Sequence, residues 1–337
     1  MSLTKYDGNI HPDEWINNIH NYFMLNNGKY GYDINMLVDT TINIPTRNYG
    51  IEEIRKALKE DVSFSIFKNA NKRKLQLLKY IPEREGGDTL KFISNFRKMC
   101  YNAEIDLEGQ KKYLYQSLPN SYFLTEFFKR KEAFNSTDEL IKGFEEIIID
   151  ESNLIRNESI IALKHVVTGR YLSSIEGICY ATGSKSQAVF VGNLELEPNG
   201  MWIIKIHNPH FTNKELASYT NNTTISLQHK SSNKFLGIHA FKSQGGLYLG
   251  SPAPNSPSTG HTEDARWSFG KSKLENNQGY LKPNDIINLS TTVQKQKGCI
   301  LQSLRSHDFQ FNVEDDSFQE VVCHNERLGG NDEVRQY

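Results

Sequence analysis

Apolar residues in the first 157 positions recur at intervals of three and four, the spacing that lines one face of an α-helix. From about residue 158 they alternate with polar residues, and Gly, Asn and Ser interrupt them roughly every ten positions, as short strands and turns require. The change is one of period and not of charge. Residues 1–157 carry 22 basic and 23 acidic side chains, and the remainder carries 17 of each.

Within the helical part, Pro12-Asp13-Glu14 opens the first predicted helix, with a proline early and acids where the helix dipole favours them. Trp15, Ile19 and Phe23 then share a face. Further helices are predicted over 34–41 (ending before Pro45), 51–58 and 63–80, the last halted by Pro82. Gly86-Gly87 breaks the chain, and Asp88 can cap a helix whose inner stripe is Phe92, Phe96, Met99/Cys100 and Ala103. Helices over 107–118 and 122–131 follow, and Ser136-Thr137-Asp138-Glu139 forms a capping box before a last helix over 140–150. The short connections predict a bundle.

The β part repeats itself. Ile161-Ala162-Leu163-Lys164-His165 returns as Ile225-Ser226-Leu227-Gln228-His229 and, more weakly, as Ile287-Asn288-Leu289. Each start is followed by a turn and a second strand: Gly169-Arg170-Tyr171-Leu172, Asn233-Lys234-Phe235-Leu236 and Gly298-Cys299-Ile300-Leu301. Third strands are predicted over 188–191, 247–249 and 320–323, and Trp202 and Trp267 mark a fourth. Units of about sixty residues with four short strands cannot each build a core, so the three must share one.

Composition narrows the function classes. A chain of 337 residues, 37% hydrophobic and 23% charged, holds two domains and is not largely disordered. A net charge of -1 disfavours nucleic acid and anionic membranes as main partners. Cys100, Cys179, Cys299 and Cys323 lie at least 24 residues apart, which excludes a disulfide scaffold and finger-type zinc spacing. The polar, acidic start lacks a signal-like apolar stretch, and no 18-residue apolar run occurs. The expectation is a cytoplasmic protein without membrane insertion, in which the Asn135-Ser136-Thr137 sequon goes unused.

Leu163-Lys164-His165-Val166-Val167-Thr168-Gly169-Arg170-Tyr171-Leu172-Ser173-Ser174 resembles the opening of a MIR domain, the family named for protein mannosyltransferases, inositol trisphosphate receptors and ryanodine receptors. Met201-Trp202-Ile203-Ile204 and Ala265-Arg266-Trp267-Ser268-Phe269 resemble the tryptophan strand that ends a MIR repeat. The resemblance implies a β-trefoil over 158–337, with repeats at about 158–221, 222–284 and 285–337. The third repeat departs from the pattern. Thr291 replaces the histidine, three residues are inserted before Leu301, and Val334 stands where tryptophan is expected. His165, Arg170, Tyr171, His229 and Lys234 are the candidate ligand contacts. The competing readings are a structural role for the paired histidines, solvated cations at the two turns, and a turn with positive φ at Gly169. The two tryptophans read as plugs of the trefoil core.

Lys5-Tyr6-Asp7-Gly8 with Trp15, Gly86-Gly87-Asp88-Thr89-Leu90-Lys91-Phe92 with Phe96, and Tyr113-Leu114-Tyr115-Gln116-Ser117-Leu118-Pro119 resemble the capsid (gag) domain of gypsy-type retrotransposons. The resemblance implies a helical domain over 1–157 in two lobes with a break near 82–88, acting by self-association. Tyr122, Phe123, Phe127 and Phe128 are the candidate oligomer contacts, because one helical face cannot hold all four rings. Closure of the bundle core is the other reading of those rings. No CCHC knuckle and no Asp-Ser/Thr-Gly protease motif accompanies the domain. The basic run Lys68, Lys72, Arg73 and Lys74 reads as a solvated helix face.

Chemistry is sparse. Asp13-Glu14, Glu52-Glu53 and Glu145-Glu146 are acid pairs on helices, and no nucleophile elbow, phosphate loop or HExxH motif occurs. No catalytic residue, metal ligand or cofactor is expected. The sequence thus predicts a multidomain α and β chain, an all-α capsid-like domain followed by a β-trefoil. Its expected role is non-enzymatic: homo-oligomerisation through the helices and recognition of a protein or glycan-like ligand by the trefoil. The alternatives are a monomeric adaptor or ligand sensor, whose trefoil binds a sugar or phosphate, and an RNA-binding gag relic.

Overall fold

Five helices of the N-terminal part start where a short polar side chain takes up free amide donors. Asp61, Asp88 and Asp106 accept from the amides of Ser63, Lys91 and Gly109 at 2.8, 2.8 and 2.9 Å. Asn120 accepts from Tyr122 and Phe123, and the Ser136 hydroxyl accepts from the Glu139 amide. The computed structural model describes residues 5–25, 34–42, 44, 50–179, 187–207, 224–239, 246–250, 266–271, 279–295, 298–313, 316–325 and 327–337. Pro45, Ala265 and the side chain of Phe23 lie outside the described residues.

The chain divides into two units, Met1–Ser152 and Asn153–Tyr337. In the first, the helices are α1 (Pro12–Leu25), α2 (Ile51–Glu60), α3 (Val62–Leu77), α4 (Thr89–Asn102), α5 (Leu107–Ser117), α6 (Ser121–Arg130) and α7 (Thr137–Ser152). The helix expected over 34–41 is a single 3-10 turn, Ile34–Leu37, after which Val38 bridges to Tyr6. Tyr6, Trp15, Ile16, Ile19, Val38, Ile42, Ile54 and Leu58 form one apolar cluster. Tyr80 anchors a second group, with ring centroids 5.1–5.5 Å from those of Phe92, Phe123 and Phe144. The Gly86-Gly87 break is a steric necessity. Gly86 has φ +85, and a Cβ at Gly87 would lie 1.8 Å from the Ile81 carbonyl oxygen. Among the described residues, no helix is long and apolar enough to cross a membrane.

The second unit is a single antiparallel sheet. Its strands are β1 (Ile160–His165), β2 (Leu172–Ser173), β3 (Phe190–Val191), β4 (Met201–His207), β5 (Thr224–His229), β6 (Phe235–His239), β7 (Gly246–Gly250), β8 (Trp267–Lys271), β9 (Ile286–Lys295), β10 (Gly298–Val313), β11 (Asp316–His324) and β12 (Val334–Gln336). Pairing runs β1–β4–β5–β8–β9–β12 and back to β1, so six strands close a barrel without a free edge. The remaining strands pair as β2–β3, β6–β7 and β10–β11.

Register repeats around the ring. Trp202 lies between Ile161 and His229, Trp267 between Ile225 and Thr291, and Val334 between Ile287 and His165. Leu172 faces Val191, Leu236 faces Leu249, and Leu304 faces Cys323. This corrects the alignment expected for the third segment. Leu301 is 58% exposed, whereas Leu304 is buried in the core. Thirteen positions separate Thr291 from Leu304, against seven from His165 to Leu172. The extra residues lengthen the β9–β10 hairpin outward, which costs no core contact.

Candidate functional site

The turns after β1 and β5 are built alike. The His165 amide donates to the Arg170 carbonyl and the His229 amide to the Lys234 carbonyl, each at 2.8 Å. Gly169 and Asn233 return bonds of 2.9 Å to the two histidine carbonyls from left-handed conformations, φ 69 and 57. His165 Nδ1 shares a 2.8 Å hydrogen bond with Thr168, and His229 Nδ1 shares one of equal length with Ser232. His229 Nε2 donates to the Asn199 carbonyl at 3.1 Å, which leaves Nδ1 as acceptor. Both rings are buried, and burial holds the His229 pKa below its ordinary value. The geometry makes both histidines turn-holding groups that do not reach solvent.

The other candidates on this unit divide. Arg170 is half-buried and donates to the Gly192 and Ser317 carbonyls at 3.3 and 2.9 Å, so its guanidinium ties loops together. Lys234 is half-buried. Tyr171 is mostly buried, yet its ring belongs to a surface cluster that the sequence reading did not assemble. Lys164 Nζ lies 5.0 Å from the Tyr171 ring centre and 5.6 Å from that of Tyr337, and the two rings meet edge-on at 6.1 Å. Tyr337 is 41% exposed. Only the pairing of β1 with β12 brings Tyr337 to Lys164, so spacing along the chain carried no trace of it.

In the helical unit, Tyr122, Phe123 and Phe127 are buried. Phe128, 60% exposed, is the one of the four candidate rings at the surface, with Lys131 Nζ 4.3 Å over it. Val62, Ile66 and Leu77 also stand exposed along α3.

A polar cluster joins segments of this unit. His11 is buried, with Nε2 3.6 Å from Glu104 and Nδ1 accepting from the Asp13 amide. Lys59 Nζ sits between Asp13 and Glu104 at 2.8 and 3.0 Å, and Lys68 reaches Glu104 at 3.2 Å. Burial lowers the His11 pKa, and Glu104 titrates low because the two lysines outweigh its desolvation. His11, Asp13 and Glu104 offer metal-type donors within 4.8 Å of one another. Lys59 and Lys68 together balance the two carboxylates, Arg55 also reaches Asp13 at 3.3 Å, and His11 Nδ1 is engaged, so the cluster acts as an ion-pair clasp.

The thiols are quiet where they are buried. Desolvation pushes Cys100 up to about 12 and raises Cys323 as well, which suits core packing and not nucleophilic chemistry.

No family model matches the chain, and no curated protein matches it. Solved structures do. An SDF2-like protein from Arabidopsis thaliana is similar at 23% identity and a TM-score of 0.43, over 55% of this chain and 94% of that one. A Caenorhabditis elegans protein of unknown function is similar at 19% and 0.44, over 56% and 97%. A ricin B-like lectin from Macrolepiota procera, in complex with lactose, is similar at 11% and 0.31, over 53% and 95%. All three scores lie below 0.5, and the functional reading rests instead on strand register and side-chain geometry.

Proposed function

We propose that this chain is a non-enzymatic binding and assembly protein. Residues 158–337 form a MIR-type β-trefoil that presents a ligand site, and residues 1–157 form a capsid-like helical domain that self-associates. The threefold recurrence of register at Trp202, Trp267 and Val334 supports the trefoil reading most directly. Each of these residues sits between the first isoleucine of its own segment and the last core position of the next first strand. Three like segments on a six-stranded ring would offer three like surfaces, which suit weak, repeated contacts. Self-association multiplies such contacts into avidity.

Apolar side chains exposed at Val62, Ile66, Leu77 and Phe128 support assembly through the helical unit. Light scattering of the full chain from low to high micromolar concentration tests this. Mass should rise with concentration and fall back in a Phe128→Asp variant. A single monomer mass throughout would leave the second reading, a monomeric adaptor. The burial of Tyr122, Phe123 and Phe127 favours that alternative, because three of the four candidate interface rings are spent on the internal core.

A further inference from the structure

The repeated register allows equivalent surface positions to be compared around the barrel. Each segment meets its neighbour where the first strand of one pairs with the last strand of the other. At one junction Lys164 pairs directly with Arg335. At the second, Gln228 pairs with Ile203, and at the third, Ser290 pairs with Ser268. The next strand adds Tyr171 beside Lys164, Phe235 beside Gln228 and Ser303 beside Ser290. Three residues beyond Val334, Trp202 and Trp267 stand Tyr337, Lys205 and Gly270. Only the first junction combines two cations with two tyrosines.

That combination favours an anionic ligand. Directly opposed residues on an antiparallel pair share a face, and like charges there repel. Lys164 and Arg335 are both half-buried, and among the described residues neither has a carboxylate within ion-pair distance. The neighbouring pair at Lys205 shows the contrast, since that lysine is neutralised by Glu158 at 2.8 Å. The two tyrosines set Lys164 between aromatic rings, and Tyr337 leaves much of its own ring in solvent. An exposed ring accepts the apolar face of a sugar, while a lysine and an arginine directly opposed in register can together accept a carboxylate.

Resting on the trefoil reading, we infer that this junction binds a carboxylate-bearing sugar, with the acid group at Lys164 and Arg335 and the sugar ring against Tyr337. A neutral sugar would leave the opposed cations uncompensated. An anion without a ring would leave Tyr337 unused.

The test is NMR titration of the full chain with an oligogalacturonate, with the neutral galacto-oligosaccharide of equal length, and with acetate. The acidic oligosaccharide should bind roughly tenfold more tightly than the neutral one and perturb Lys164, Tyr171, Arg335 and Tyr337, with acetate weaker than both. Lys164→Ala and Arg335→Ala should each weaken binding roughly fivefold or more, and Tyr337→Ala should erase the advantage over acetate. Gln228→Ala, at the equivalent position of the second junction, should change nothing. Equal affinity for the acidic and neutral sugars, or equal loss in Gln228→Ala, overturns the inference while leaving a sugar-binding trefoil standing. Acetate binding as tightly as the oligogalacturonate overturns it in favour of a simple anion site. Absence of binding to any of the three overturns it as well, and light scattering then judges the assembly reading separately.

Discussion

Two segments of the barrel are held by one device and the third by another. In the first two, an indole plugs the core and donates from Nε1 to a backbone carbonyl, Trp202 to Leu172 at 2.9 Å and Trp267 to Leu236 at 3.2 Å. In the third, Val334 occupies the same register, and a cavity of about 10 Å³ lies against it, lined also by His165, Leu172, Leu304 and Ser306. The third segment also carries a buried charge cluster. Asp332, fully buried, accepts from Arg305 Nε at 2.9 Å, from His324 Nε2 at 2.6 Å and from the Gly329 amide at 2.5 Å. A ring of strands therefore does not require three identical plugs.

The comparison can be broken most decisively at the tryptophans. Trp202→Ala or Trp267→Ala should cost about 3–5 kcal/mol, through lost burial and the cavity left behind. Val334→Ala should cost clearly less, because its site is already underfilled. Denaturant unfolding of the β unit, followed by circular dichroism so that the lost indole does not bias the signal, measures all three. Equal losses would show that the plugs do not differ in weight.

Next is the charge cluster. Asp332→Asn should cost about 3 kcal/mol, because it leaves Arg305 and His324 partly buried beside a neutral amide. Burial alone would raise the Asp332 pKa, but the bonds from Arg305, Gly329 and His324 outweigh it and hold the carboxyl low. A carboxyl whose folded pKa is depressed contributes stability above its unfolded value. That contribution is lost as pH falls through the lower folded value. The wild-type denaturation midpoint should therefore drop in the acid range below pH ~4, with a shallower slope in Asp332→Asn.

A smaller effect is expected at the histidine turn. His229→Ala removes the bonds to Ser232 and Asn199 and should cost about 1–3 kcal/mol, whereas Thr291→Ala, at the matching place in the third segment, should cost under about 1. Because burial depresses the His229 pKa, its contribution holds above pH ~6.5 and declines as pH falls below that. Ring-proton NMR titration would read the shifted midpoint, and a midpoint at or above the free histidine value would contradict the buried, neutral ring. The smallest change belongs to Val334→Leu, which adds a methylene beside the small cavity. Stability should move by less than about 1 kcal/mol, measured by the same unfolding assay.

Much of this was written locally. The alternation from Ile161 to His165 and from Ile225 to His229 marks a strand with one face inward, and the turn at Gly169 needs only residues within five positions. The capping aspartates and the Gly86-Gly87 break are equally local. The site was less legible. Tyr171 was singled out, but Lys164 and Arg335 look like ordinary surface cations until β1 and β12 lie side by side. His165 and His229 read both as contacts and as structural groups, and the structure buries both rings. The misplacement of Leu301 has the same origin, since alternation alone cannot say how far a hairpin extends before it turns inward.

By itself the sequence determined the period of each half, the places where helices begin, and the threefold recurrence of an apolar-polar strand opening. These follow from interactions within a few residues, where side-chain spacing and backbone sterics act directly. Tertiary structure alone decided that Leu304 and not Leu301 enters the core, that Asp332 meets Arg305 and His324, and that two cations and two tyrosines converge at one junction. Those outcomes depend on which strand lies beside which, and strand pairing is chosen by the closure of the whole ring.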